Sequence, residues 1–313
     1  MHEPSAPAPS ATVQYGPHPS QFFELYLPAG PGPHPVVVLI HGGFWRLPWD
    51  LDLMRPQALD LASRGYAAVN LEYRRLGEPG AGWPGTCEDV ADAVRALADP
   101  DRGLGPDLDP ARGIGLVGHS AGGHLALWVA SRLGGAARSP GGAAGLPIGV
   151  VVSQAGVLDL RAAWRDRLDE ENGKPPAALE FIGAPPETAA PRIPAPETPG
   201  PETPELEPAT AAADAAAAPA SAIAASDDAY ALASPIELLP LGPRVRQVVL
   251  HGDADNRVPQ QQSLDYAAAA RRAGDDVLFV PFTGMGHFEL IDPGHESWHV
   301  AVRELDRVLR PAR

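Results

Sequence analysis

The chain has one cysteine, Cys87, in 313 residues. That excludes an intramolecular disulfide and argues against a cysteine-built metal cage. Basic residues are also scarce: 24 Lys and Arg stand against 39 Asp and Glu, for a formal net charge of −15. No cluster of Lys or Arg interrupts this balance, so a nucleic-acid surface, which needs a basic patch, is not expected. The acidity reads instead as an aid to solubility. No run of 18 or more apolar residues occurs, so no membrane span is expected. The opening MHEPSAPAPSATVQY lacks the apolar core of a secretory signal, and the expectation is a soluble cytoplasmic protein.

Proline (37) and glycine (33) are abundant, and they concentrate in particular places. Residues 1–20 read as a flexible tail. From residue 21 onward the chain alternates between β-type and helical patterns. QFFELYLPAG (21–30), HPVVVLIHGG (34–43) and YAAVNLEYR (66–74) read as strands. So do LPIGVVVSQAG (146–156), RVRQVVLHG (244–252) and DVLFVPFTG (276–284). Continuous β-branched runs such as VVVLI suit strands buried on both faces of a parallel sheet. Helical spacing falls at 49–65, 86–99, 259–274 and 296–310, with Gly65 stopping the first of these. Thr86 with Asp89 three residues on resembles a capping box.

This alternation predicts a single α/β domain over 21–313, with a mostly parallel sheet and helices on both faces. Right-handed crossovers bring the strand C-termini to one edge, where such sheets bind ligands. Residues 157–242 read as a cap region over that edge. Within it, 185–228 is Pro, Ala, Glu and Thr with almost no large apolar residue. It reads as a disordered insertion, because it cannot bury enough surface to offset its ordering entropy. A structured lid is the alternative there.

GHSAG (118–122) matches G-x-S-x-G, with a strand before it and a helix after it. In that context Ser120 sits at the tip of a tight reversal, and Gly118 and Gly122 let strand and helix approach. A serine hydroxyl needs a base to become a nucleophile. In this strand-turn-helix architecture an acid and then a histidine follow the serine in chain order. His287, in TGMGHFEL after a predicted strand, is the candidate base. His295 and His299 belong to the last helix. His119 and His124 are too close to Ser120 in sequence to serve as its base, and His251 reads as packing within the acid loop. The acid falls in HGDADNRVP (251–259), where spacing alone leaves Asp253 and Asp255 both open. Backbone donors for an oxyanion are expected from Ala121 and from HGGFW (41–45), at Gly43 or Phe44.

Taken together, HGGFW, GHSAGG, HGDADNRVP and GMGHFEL resemble, in order and spacing, the α/β-hydrolases of esterase and lipase type, over roughly residues 20–310 apart from the insertion. HGGFW is closer to the HGGxW of arylformamidases (kynurenine formamidases) and related small bacterial esterases than to the HGGG of hormone-sensitive-lipase relatives. The resemblance implies an α/β-hydrolase fold and a triad of Ser120, Asp255 and His287. It places the acid at the fifth letter of HG-x-x-D, hence Asp255 over Asp253. It also implies Gly43, Phe44 and Ala121 as oxyanion-hole positions. The expected reaction is hydrolysis of a small carboxylic ester through an acyl-enzyme. Hydrolysis of an N-formyl-kynurenine-type amide is the alternative, and a non-catalytic binding protein on the same scaffold is the remote one. No cofactor or metal is called for. A homodimer is compatible with such a chain.

Aromatic residues in the predicted edge loops suggest an apolar pocket. Trp45 and Trp83, with His119, are its candidate lining, although Trp45 and Trp49 could equally anchor the first helix. Arg74 and Arg75 follow a strand at the same edge, where they are candidates for an acidic substrate or, more simply, solvated loop residues. Cys87 reads as a small buried residue.

Overall fold

The computed structural model describes residues 7–99, 104, 106–134, 147–170, 174–186 and 228–310. Eight strands form one sheet: β1 (Ala11–Gln14), β2 (Phe22–Tyr26), β3 (Val36–Ile40), β4 (Ala67–Leu71), β5 (Ile114–His119), β6 (Ile148–Gln154), β7 (Arg246–Gly252) and β8 (Val277–Phe282). Their order across the sheet is β1-β2-β4-β3-β5-β6-β7-β8. The β1/β2 and β2/β4 pairs are antiparallel, and the others run parallel. All five residues of β3 and all five of β4 are buried. The two faces take alternate side chains, as a period of two requires. Val36, Val38 and Ile40 join one core, while Val37 and Leu39 join the other.

The helices cover both faces. On one side lie α1 (Arg55–Ser63) and α8 (Glu296–Leu309), joined by the Trp298 indole donating to Asp60 at 2.6 Å. On the other lie α2 (Gly85–Leu97), α3 (Ala121–Leu133) and α7 (Gln261–Arg272). A glycine with φ +88, Gly65, follows α1, a position that a side chain rarely tolerates. The described parts of 157–242 form α4 (Leu160–Arg165), α5 (Ala177–Ile182) and α6 (Ala229–Ala233), followed by a 3₁₀ turn at Pro235–Leu238.

Two local expectations need correction. Residues 11–14 are not part of a tail. They pair with β2, and the Tyr15 hydroxyl donates to the Glu72 carbonyl at 2.8 Å. Without β1, the backbone groups on one side of β2 would have no ladder partner, and β-branched Thr12 and Val13 suit the pairing. The Thr86/Asp89 capping box is also absent. Thr86 Oγ1 donates instead to the Arg74 carbonyl at 2.6 Å, and Asp89 receives the Arg74 guanidinium at 2.6 and 2.8 Å. A buried carboxylate is better satisfied by a charge than by one backbone N–H. Nearly all of the 185–228 insertion lies outside the described residues.

Candidate active site

The GHSAG turn joins β5 to α3. Ser120 has φ 55 and ψ −119, a backbone conformation that costs energy and is retained only where the surroundings impose it. The glycines around it are steric necessities. A Cβ on Gly118 would stand 2.0 Å from the Gly122 carbonyl oxygen, and one on Gly122 would stand 2.0 Å from that of Ile40. The Ser120 N–H donates to the Gln154 carbonyl at 2.8 Å, and its carbonyl accepts from Gly123 N–H at 2.9 Å. The turn is therefore tied to β6 on one side and to its own helix on the other.

The HGGFW loop runs beside this turn. A Cβ on Gly42 would lie 2.9 Å from Ser120 Cβ. Gly43, Phe44 and Trp45 have φ of +107, +50 and +59, three successive left-handed residues that turn the backbone over. Among the described residues, none accepts a hydrogen bond from the N–H of Gly43, Phe44 or Ala121. The loop is braced from below by His41. Its ring is buried, stacked on Tyr73 at 4.2 Å, and lies 3.0 Å from Glu72 Oε1. Glu72 in turn accepts the N–H groups of Leu51 and Tyr73.

His287 follows β8. Its Nδ1 donates to Asp255 Oδ2 at 2.6 Å. The other oxygen, Oδ1, accepts the backbone N–H groups of Arg257 (2.8 Å) and Val258 (2.9 Å). Asp253 is turned elsewhere, and its exposed carboxylate accepts the Gly284 N–H at 2.6 Å. Gly252 lets the two loops meet, since a Cβ there would lie 2.0 Å from the Met285 carbonyl oxygen. Burial would raise the Asp255 carboxyl, but hydrogen bonds from His251 and His287, with those from the backbone, hold it well below the usual carboxylate range.

Two further histidines support this arrangement. His251 is fully buried, with Nε2 2.9 Å from the Val258 carbonyl and 3.2 Å from Asp255 Oδ2. Both partners are acceptors, so Nε2 carries hydrogen. Nδ1 meets Ser263 Oγ at 2.7 Å. Beyond packing the acid loop, then, His251 touches the acid itself. His119 donates from Nε2 to the His287 carbonyl at 3.0 Å. Burial, helped by the neighbouring His287, lowers its pKa to about 3, so its ring is neutral. Gln154 adds a second clamp on the same loop, donating to the Leu290 carbonyl at 2.6 Å.

Ser120, His119, His287, Gly43 and Phe44 line one cavity of ≈ 210 Å³ with Trp49, Phe288, Arg257 and Lys174. That is below the roughly 300–1,000 Å³ of sites for drug-sized ligands. Trp45 and Trp83 are not among its lining. Trp45 is fully buried and stacks on Phe181 of α5 at 4.4 Å, so it anchors the cap. Trp83 meets Trp128 edge-on in a separate groove. Arg74 and Arg75 are engaged too, with Asp89 and Glu78 respectively, and neither faces the cavity. Cys87 is buried, and burial pushes its thiol well above the usual range. Phe288, Arg257 and Lys174 were not singled out from the sequence. Phe288 adjoins His287 and Arg257 lies within HGDADNRVP, whereas Lys174 carried no signal at all.

The sheet order, the serine turn and the loops gathered at one edge define a serine hydrolase of the α/β-hydrolase class. The BD-FAE family profile matches residues 23–195, more than half of the chain, and the chain belongs to that family. The prolyl oligopeptidase family profile matches residues 224–307. No curated protein sequence matches the chain at a significant level. Solved structures do match. A truncated carbohydrate esterase from gut microbiota is 20% identical with a TM-score of 0.68, over 98% of this chain and 99% of that one. An esterase of Thermogutta terrifontis, solved with propionate bound, is 20% identical with a TM-score of 0.65, over 99% of this chain and 98% of that one. A bifunctional GH43-CE protein of Bacteroides eggerthii is 22% identical with a TM-score of 0.66; the match covers 95% of this chain but only 34% of that longer one. At these identities the likeness is one of fold. Among the described residues, no helix is long and apolar enough to cross a membrane, and no group of three or more His, Cys, Asp or Glu is placed to hold a metal.

Proposed function

We propose that the protein hydrolyses small carboxylic esters, with Ser120 as nucleophile, His287 as general base and then acid, and Asp255 as the group that orients His287. The observation that carries this reading is one cavity. The strained Ser120 turn and His287 both open onto it, and a buried carboxylate lies 2.6 Å from Nδ1 of the imidazole. Because Asp255 takes the Nδ1 hydrogen, Nε2 is left with a lone pair. That nitrogen takes the Ser120 proton as Oγ attacks the carbonyl carbon. The oxyanion forms where the N–H groups of Ala121 and of Gly43 or Phe44 can donate, and one such donor contributes roughly 3–4 kcal/mol. The imidazolium then protonates the departing alcohol. Water, deprotonated by the same nitrogen, attacks the acyl-enzyme and frees Ser120.

The small cavity favours a short acyl group. It also admits a formyl group, so formamide hydrolysis by the same machinery is the second reading. A fluorophosphonate probe tests the core of the proposal, since the intact chain should be labelled and Ser120→Ala should not. Labelling that survives Ser120→Ala would overturn it. Nitrophenyl esters of rising chain length, run beside N-formyl-kynurenine, separate the two substrate readings by kcat/KM.

A further inference from the structure

The charge of the cavity runs against that of the chain. Among the described residues, four charged ones line it: Arg46, Asp169, Lys174 and Arg257. Arg46 is spent on structure, with its guanidinium bound to Asp169, Glu180 and the Pro175 carbonyl. Asp169 is spent in the same pairing. The side chains of Lys174 and Arg257 have no ionic or hydrogen-bond partner among the described residues, in a chain of net charge −15 where carboxylates are plentiful.

Both cations are carried on anchored backbone. The Arg257 N–H donates to Asp255 Oδ1, so this arginine sits on the turn that presents the proposed triad acid. Lys174 adjoins Pro175, whose carbonyl the mostly buried Arg46 holds at 2.9 Å. The same cavity has an apolar wall. Four large apolar residues are exposed among those described, and three of them, Leu47, Trp49 and Phe288, line this cavity. Trp49 and Phe288 stack at 5.9 Å. An aromatic wall next to two cations that have no partner among the described residues is complementary to an apolar or aryl group that bears a negative charge. A guanidinium fork matches a carboxylate in particular.

We infer that the site selects esters carrying an anionic group, recognised by Arg257 and Lys174. This deepens the hydrolase reading above and rests on it. An anion bound there is fixed relative to Ser120 by the Asp255 turn, so recognition and chemistry share one loop.

The test uses two rigid substrate pairs in which an amide replaces the carboxylate. 4-Acetoxybenzoate against 4-acetoxybenzamide puts the anion on the leaving group. The monophenyl ester of terephthalic acid against phenyl 4-carbamoylbenzoate puts it on the acyl group. The readout is the anionic-to-neutral ratio of kcat/KM in the full chain, divided by the same ratio for uncatalysed hydrolysis. In at least one pair the wild-type ratio should exceed unity by about tenfold, as one charge-assisted hydrogen bond supplies. It should fall towards unity in the Arg257→Gln/Lys174→Gln double variant and in high salt, and Arg257→Lys should retain part of it. A variant that merely misfolds lowers both members of a pair and leaves the ratio alone. If the neutral esters turn over and Ser120 takes the fluorophosphonate, yet the ratio is the same in wild type and double variant for both pairs, this inference fails alone. If no ester turns over and Ser120 is not labelled, the hydrolase reading fails and takes this inference with it.

Discussion

Replacing Asp255 by asparagine probes the proposed mechanism at one atom. Oδ1 is held by two backbone N–H donors, from Arg257 and Val258. In Asp255→Asn the amide oxygen must stay with those donors, because an NH₂ group there would meet two hydrogens. The NH₂ then replaces Oδ2 and faces His287 Nδ1, which had donated to it across 2.6 Å. Nδ1 is forced to accept, the ring hydrogen moves to Nε2, and Nε2 can no longer take the Ser120 proton. The carboxylate that would stabilise the imidazolium is gone as well. Such a tautomer reversal costs about 10⁴-fold in turnover in serine-protease triads, or roughly 5 kcal/mol at 1.36 kcal/mol per tenfold. The assay is kcat/KM on a nitrophenyl ester near neutral pH, with thermal melts to show that the fold is intact. Asp253→Asn is the matched control. Its side-chain oxygen can still accept the Gly284 N–H, so activity should stay within a few-fold of wild type. Near-wild-type turnover in Asp255→Asn, or a larger loss in Asp253→Asn, would overturn the assignment of Asp255.

Gly122→Ala should block the turn from closing, because its Cβ would stand 2.0 Å from a backbone oxygen. The expected loss is at least about 1–3 kcal/mol of stability, read from denaturant melts, together with loss of fluorophosphonate labelling. His251→Phe removes the N–H that lies 3.2 Å from Asp255. It should lower kcat/KM by about tenfold, with partial recovery in His251→Gln, whose amide can donate at the same point. Trp45→Ala should cost about 3–5 kcal/mol in melts by emptying the space against Phe181, whereas Trp49→Ala, at the cavity wall, should act on KM. Stability should fall on mild acidification. Burial lowers the His124 pKa to about 4, below its unfolded value, so its contribution is fully present above about pH 6.5 and lost as pH drops towards 4. That is on the order of 3 kcal/mol for this group, and His124→Gln should flatten the pH dependence of the melting temperature.

The regular elements of the sheet were legible because each is written locally. Five consecutive apolar residues in β3 admit few placements besides a strand covered on both faces, and the steric demands of the serine turn require glycine at 118 and 122. Ser120 and His287 could be singled out for the same reason, since each stands in a glycine-containing turn that follows a strand. β1 was missed because a four-residue exposed strand has no pattern of its own, and its pairing belongs to β2. The roles of Trp45 and Trp83 were misjudged because a tryptophan in an edge loop can face either the cavity or the cap. That choice depends on Phe181 and Trp128, residues distant in sequence.

The strand-and-helix alternation, the tight serine turn and a loop holding two candidate acids can be read from the chain alone, because all of them follow from side-chain size and backbone freedom over a few neighbouring residues. Spacing alone leaves both aspartates open and the resemblance favours Asp255; the physical reason lies in the folded chain. The Arg257 and Val258 N–H groups hold one oxygen of Asp255 and leave the other facing the imidazole, while Gly284 draws Asp253 away. The same holds for the two cations of the cavity. Lys174 and Arg257 stand 83 positions apart in the chain and share a cavity only because the cap, held by Arg46, folds back over the sheet edge.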